Sequence, residues 1–258
     1  FNYVQNGNPL RLRTSISWRV SGCTANYDLF YPNRVFTGDA YFNGELYSAG
    51  DADGRSPSSL IANALPCTVP YNLVVLLEGF YVGSGSMSTA LSNAGVSAGA
   101  NDVDTIVAEL RSTTDPSIIV SSLSGIVDVT GNATFIFPSS VAGNSYWLVV
   151  KHRNSVEAWS AAPVTMSING TYDFTSSASQ TYLSNIANVG SGDYALFTGD
   201  INQDGFVDAY DYTLYEDQSI SFSTGYLGSD LNGDGFVDAF DFPLFESNQL
   251  NFVMAVTP

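Results

Sequence analysis

Two stretches of the chain carry the residue types and spacing to grip a hard cation. DINQDGFVDAYD, residues 200–211, returns as DLNGDGFVDAFD, residues 230–241, with nine of the twelve positions identical. Counting from the first aspartate, positions 1, 3, 5, 9 and 12 are Asp200, Asn202, Asp204, Asp208 and Asp211, then Asp230, Asn232, Asp234, Asp238 and Asp241. Calcium takes about six to eight oxygens at roughly 2.3–2.6 Å, and alternate residues of a tightly curled loop can aim theirs at one centre. Position 7 offers a backbone carbonyl, here of Phe206 or Phe236, and position 9 acts through water. Glycine at position 6, Gly205 or Gly235, takes a bend that a Cβ would resist. Val207 and Val237 at position 8 are expected to bury beneath the ions and to let the paired loops bridge through a short β contact. As plain acidic turns these runs would be costly, since two unit charges 4 Å apart repel by about 4 kcal/mol at an effective dielectric near 20. Two copies in phase therefore point to two Ca²⁺ ions. Magnesium is the poorer match, because the loops oversupply oxygens for an octahedral ion.

The elements around the loops narrow the reading. The spacing is that of an EF-hand calcium loop, with two departures. Position 12 is Asp, not Glu, and no helix-forming run precedes either loop. AYDYTLYED and AFDFPLFES follow them and predict short helices, Pro243 being tolerable in a first turn. A duplicated loop-then-helix with Asp at position 12 resembles the dockerin F-hand over residues 198–250. That resemblance implies calcium and a docking role toward cohesins. The dockerin recognition positions 10 and 11 fall on Ala209–Tyr210 and Ala239–Phe240, where dockerins often carry a small hydroxyl. Tyr210, Tyr212, Leu214 and Tyr215 match Phe240, Phe242, Leu244 and Phe245, and packing of the two halves is expected over a duplicated docking face.

Charge agrees with a cation-binding end. Net charge is −17, and residues 191–258 hold twelve acids and no base. Nucleic acid and anionic membranes are excluded as partners on that balance. Charged residues are only 13% of the chain, about half the usual share, and Ser, Thr, Asn and Gly cover the surface instead, as in an extracellular β-protein. Cys23 and Cys67 could form a disulfide or remain buried thiols. No apolar window is long enough to span a membrane. The chain starts at Phe1 without a basic-then-apolar leader, as expected of a processed chain.

Upstream, the expected fold is mainly β: an N-terminal β region (1–68), a β-sandwich (69–190) and the small α calcium module (191–258). Residues 10–20 alternate like a strand, and Asn43-Gly44 marks a hairpin. From residue 71, apolar runs recur at roughly ten-residue intervals; 71–82 reads as one long strand and 176–192 as a linker or edge segment. FPSSVAGNSYWLVVKH resembles transthyretin-like or CnaB-like sandwich domains. LVVLLEGFY, MSTAL, VVKHRNSVEAWSA and the two aspartate loops resemble a C-terminal module of secreted proteins of Bacteroidota-type bacteria, which implies secretion and surface display.

No enzyme is expected. His152 is the sole histidine; a Ser–His–Asp set is conceivable, but no nucleophile elbow is present, and a packing or surface histidine is the plainer reading. Glu78 reads as a strand-end residue or a partner for Arg111 or Lys151. Asn132-Ala-Thr134 and Asn169-Gly-Thr171 are formal sequons, and Asp104-Thr105-Ile106 resembles an O-glycosylation tripeptide. The function expected is a calcium-stabilised extracellular structural or adhesive surface protein, as in a fibre or surface layer, that self-associates or meets another surface protein. The alternative is a docking module for a cohesin-like partner or a glycan.

Overall fold

Alternation along the strands builds the core. The computed structural model describes residues 12–20, 23–31, 68–96 and 98–258, in two compact units, Phe1–Cys67 and Thr68–Pro258. In the first, β1 (Leu12–Val20) pairs antiparallel with β2 (Cys23–Tyr31). The hairpin expected at Asn43-Gly44 and the Cys23–Cys67 pairing lie outside the described residues or side chains.

In the second unit, β3 (Thr68–Val74) turns Val69, Tyr71 and Leu73 inward. It pairs antiparallel with β8 (Asn132–Pro138), which buries Ala133, Phe135 and Phe137 and exposes Thr134 and Ile136. β12 (Gly170–Asp173) completes this sheet in parallel with β3. The facing sheet runs in the order β10 (Ser155–Trp159), β9 (Ser145–His152), β6 (Asp102–Arg111) and β7 (Ile119–Asp128), with β11 (Val164–Thr165) also on β9. Its inner face supplies Ile106, Ala108, Leu110, Leu148 and Val150, all fully buried. Two small hairpins, β4 (Tyr81–Gly83) with β5 (Ser86–Met87) and β13 (Ala187–Gly190) with β14 (Asp193–Ala195), edge this core, beside a one-turn helix α1 (Ala90–Asn93).

One sequence expectation is corrected and another is narrowed. The run 71–82 is not one strand. β3 ends at Val74, and the apolar residues beyond it change partners: Val75 N–H donates to Gly131, Leu196 N–H to Leu76, and Leu77 bridges to Leu196 in parallel. A short 3-10 turn, Glu78–Phe80, follows. Of the two readings of residues 176–192, the edge segment holds and the linker does not. Ile186 and Ala187 are buried, Tyr172 Oη donates to Gln180 O, and Asn185 Nδ2 donates to Met254 O.

The calcium-type loops follow β14, trailed by α2 (Ala209–Ile220) and α3 (Phe242–Leu250). Val156, Val207, Leu231, Phe245 and Val253 form a second small core beneath them. Phe135 is the test of the main core. Gly125 leaves its ring room, since a Cβ there would sit 2.8 Å from the ring edge. Phe135→Ala should cost about 3–5 kcal/mol, read as a lower urea midpoint, whereas Thr134→Ala on the exposed side of the same strand should stay near wild type.

Candidate calcium centre and its mount

Each loop closes on its own aspartates. The N–H groups of Ile201 and Asn202 donate to Asp211 Oδ1 at 2.7 and 3.0 Å. Leu231 and Asn232 donate to Asp241 Oδ1 at the same two distances. The other oxygen of each position-12 aspartate accepts from Asp208 N or Asp238 N at 2.9 Å. Asp204 N and Gly205 N donate to the two oxygens of Asp200, and Asp234 N and Gly235 N to those of Asp230, all at 3.0–3.1 Å. Asp208 also caps α2, accepting from Tyr210 N at 2.8 Å and completing a capping box with Asp211. The shorter position-12 side chain thus still reaches both ends of its loop. Gly205 and Gly235 both take φ +89°, the bend their position demands.

Burial makes these acids unusual. Asp200 is 2% exposed, and Asp211, Asp230 and Asp241 are fully buried. Burial, followed by the charges of Asp211 and Asp204, pushes the Asp200 carboxyl up to about 7. Burial likewise pushes Asp241 up to about 6, and raises Asp211 and Asp230. Their own module holds no base to offset them. The donors of each loop are all oxygens: three or four carboxylates, an Asn amide and the carbonyl of Phe206 or Phe236. Among the described residues no group of three or more His, Cys, Asp or Glu side chains stands arranged to hold a metal ion; the loop carboxylates are turned onto backbone N–H groups instead. Buried, uncompensated anions with a hard-oxygen donor set fit calcium.

Position 8 behaves partly as expected. Val207 and Val237 are buried. The loops, however, do not bridge to each other. Val207 N–H donates to Val253 O and Phe206 pairs with Met254, while Val237 N–H donates to Ser223 O and Phe236 pairs with Thr224. Each loop is clasped by the segment after a helix. The matched aromatics divide. Tyr212, Tyr215, Phe242 and Phe245 pack between the helices, with ring centroids 5.9–6.4 Å apart. Tyr210 and Phe240 are 74% and 75% exposed.

The sandwich holds the second loop rigidly, through residues the sequence reading placed elsewhere. Glu78 Oε2 accepts from Thr198 N and Asn248 Nδ2, at 2.9 and 2.6 Å, so its partners are neither Arg111 nor Lys151. Those two pair with Glu109 and Glu157 instead. Asn154 Nδ2 donates to Asp230 O at 3.0 Å, and Arg153 donates to Leu227 O. Gly79 lies so close to Leu231 that a Cβ would overlap its carbonyl, and at Gly233 a Cβ would meet Phe80 and Ala90. The first loop has Gln203 at this position. That one mismatch between the repeats was the sequence signal for which loop docks.

Asp104 is the hub of the mount. It accepts from Arg153 Nε at 3.0 Å and Tyr226 Oη at 2.5 Å. His152 Nε2 lies 3.1 Å away. Nδ1 of the same ring is 2.9 Å from Ser155 Oγ. An Asp–His–Ser trio does exist here, but a nucleophile must meet substrate, and Ser155 is 1% exposed; it is an interior polar network. Thr105, in the tripeptide read as an O-glycosylation site, lies mid-strand in β6 beside buried Asp104, not on a displayed loop. Burial raises Asp104, but His152, Arg153 and Tyr226 outweigh it and hold the carboxyl at about 2. Burial keeps His152 low, hence neutral at pH 7. Because Asp104 is depressed on folding, its contribution is complete above the ordinary value of 3.8 and fades as pH falls toward about 2. Asp104→Ala, which strands Arg153, should cost about 3–5 kcal/mol at pH 7, and the gap to wild type in chemical denaturation should narrow below pH 3.8.

The comparisons with known proteins concern this same region. The family model for the dockerin type I domain matches residues 198–248. No curated protein matches the chain. Among solved structures, a C-terminal interface mutant of a type II cohesin–X–dockerin complex from Acetivibrio cellulolyticus is similar at 15% identity and a TM-score of 0.42, covering 70% of this chain and 95% of that chain. An N-terminal interface mutant of that complex gives 16%, 0.42 and the same coverage. The chain is mainly β and carries a dockerin-like module at its C-terminal side.

Proposed function

We propose that residues 68–258 are a calcium-stabilised docking module of a secreted, cell-surface multidomain protein, with the calcium unit (191–258) mounted on the sandwich (69–190) and an N-terminal β region (1–68) preceding both in sequence. One ion sits in each loop. Asp200, Asn202, Asp204, the Phe206 carbonyl, Asp208 through water, and Asp211 would hold the first. Asp230, Asn232, Asp234, the Phe236 carbonyl, Asp238 through water, and Asp241 would hold the second. The observation that carries this reading is the pair of buried acids in each loop with no base in their module. Bound calcium supplies charge neutralisation and fixes the loop; the chain's residues bind and orient it. The dockerin match and the sparsely charged, Ser/Thr/Asn-rich surface support secretion.

The partner is a cohesin-like domain. Tyr210 and Phe240 stand exposed at equivalent positions near the starts of α2 and α3, where dockerins carry their recognition pair. Two flat aromatic anchors suit a partner surface with apolar pockets better than one that reads hydroxyls.

Chelation tests the calcium role. In calorimetry, EDTA should split off an early transition for residues 198–250 and leave the sandwich to melt later; calcium at a thousandfold excess over its dissociation constant should restore about 4 kcal/mol per site. An identical melt with and without chelator overturns the reading. Asp204→Ala should weaken one site in a calcium titration and spare the other. For docking, Tyr210→Ala and Phe240→Ala should each cost about 2 kcal/mol against a bound cohesin, near thirtyfold in affinity, with the calcium melt unchanged.

A further inference from the structure

The two edges of the larger sheet are treated differently. At one end, β10 is five residues long, contains an irregularity between Ser155 and Ala158, and carries Glu157. Val156 N–H donates to Phe197 O, and Ser155 bridges to Thr198, so that edge is capped by the chain entering the dockerin-like module. At the other end, β7 runs ten residues and bonds only to β6 in its sheet; among the described residues no strand pairs with its outer side. From Pro116 to Val127 there is no charged residue. Ile119, Val120 and Ile126 are exposed, and no proline interrupts the strand. Apart from one irregularity at Val120, where the register against β6 steps from Ser121 to Ile119, this edge among the described residues lacks two usual guards against pairing with another strand, charge and proline.

Its sequence also names the strand it would accept. Residues 119–127 read Ile-Val-Ser-Ser-Leu-Ser-Gly-Ile-Val. Apolar β-branched pairs stand at both ends, small residues lie inside them, and Leu123 is the centre, so the pattern is the same in either direction. We propose that β7 is a self-recognition edge that pairs antiparallel with β7 of a second copy of this chain, on a two-fold axis through Leu123. In that register Ile119 meets Val127, Val120 meets Ile126, Ser121 meets Gly125 and Ser122 meets Ser124. Every apolar residue faces an apolar one across the axis, as an isologous interface requires. A slip of one residue reverses the faces, and a slip of two sets Ile or Val against Ser or Gly, which fixes the register. The paired segment is about 30 Å long, and it joins two five-stranded sheets into one continuous sheet. Val120, Ser122, Ser124 and Ile126 share the outward face, so they sit side by side across the junction. The pairing goes beyond the docking reading and does not depend on calcium.

Sedimentation equilibrium of the whole chain in calcium buffer tests it. The wild type should show a concentration-dependent dimer. Ser122→Lys with Ser124→Lys sets like charges opposite each other at the axis and should abolish the dimer, with the thermal melt of the monomer unchanged. Ser122→Glu with Ser124→Glu should do the same, and carries the test if the lysine pair folds poorly. An equimolar mixture of the two charged variants should form a dimer again. A wild type that stays monomeric, charged variants that stay dimeric, or a mixture that stays monomeric overturns the proposal.

Discussion

The structure depends on where four carboxylates are placed. Asp200, Asp211, Asp230 and Asp241 are withdrawn from water in a module without a lysine or arginine. Burying an anion without compensation is among the most expensive things a fold can do. The loops answer with the only positive ends available within the module, backbone N–H groups, and each loop aims several of them at its first and last aspartates. Backbone dipoles offset part of the cost, and burial still pushes the carboxyls of Asp200 and Asp241 upward. In the function proposed above, a divalent ion would supply the remainder.

Sequence symmetry and structural symmetry part company at the mount. The backbone hydrogen bonds onto the last aspartate of each loop match in length, yet only the second loop rests against Phe80, Ala90 and Asn93 of the sandwich side. There the repeat trades Gln203 for Gly233, because no side chain fits between the loop and the Phe80 ring. Asp104, Arg153 and Tyr226 fasten the same contact from the other side. The first loop meets the sandwich more lightly, through Gln203 Nε2 on Ser155 O and Gly199 N on Asn154 O. A duplicated unit has become one mounted half and one freer half.

The sequence was most legible where chemistry and spacing coincide. The twelve-residue spacing, repeated thirty residues on, picked out the aspartates around which each loop backbone closes, and the recurring apolar runs signalled a strand-rich region upstream. It failed where one residue serves two elements. Leu76 and Leu77 read as strand because they are apolar, but their hydrogen bonds go to Leu196 in the next module, a partner 120 residues away that no local pattern encodes. Glu78 looked like a strand end for the same reason. Asp104 and His152 carried no sign of being neighbours, since cross-strand register between β6 and β9 decides it.

The clasps on the two loops differ in reach. Phe236–Val237 is held by Ser223–Thr224, thirteen residues back, whereas Phe206–Val207 is held by Val253–Met254, almost fifty residues onward. During synthesis the later loop can therefore be completed as soon as it emerges, but the earlier one must wait for everything after it. The earlier loop should be the last to close in a growing chain and the first to open when the C-terminal residues fray.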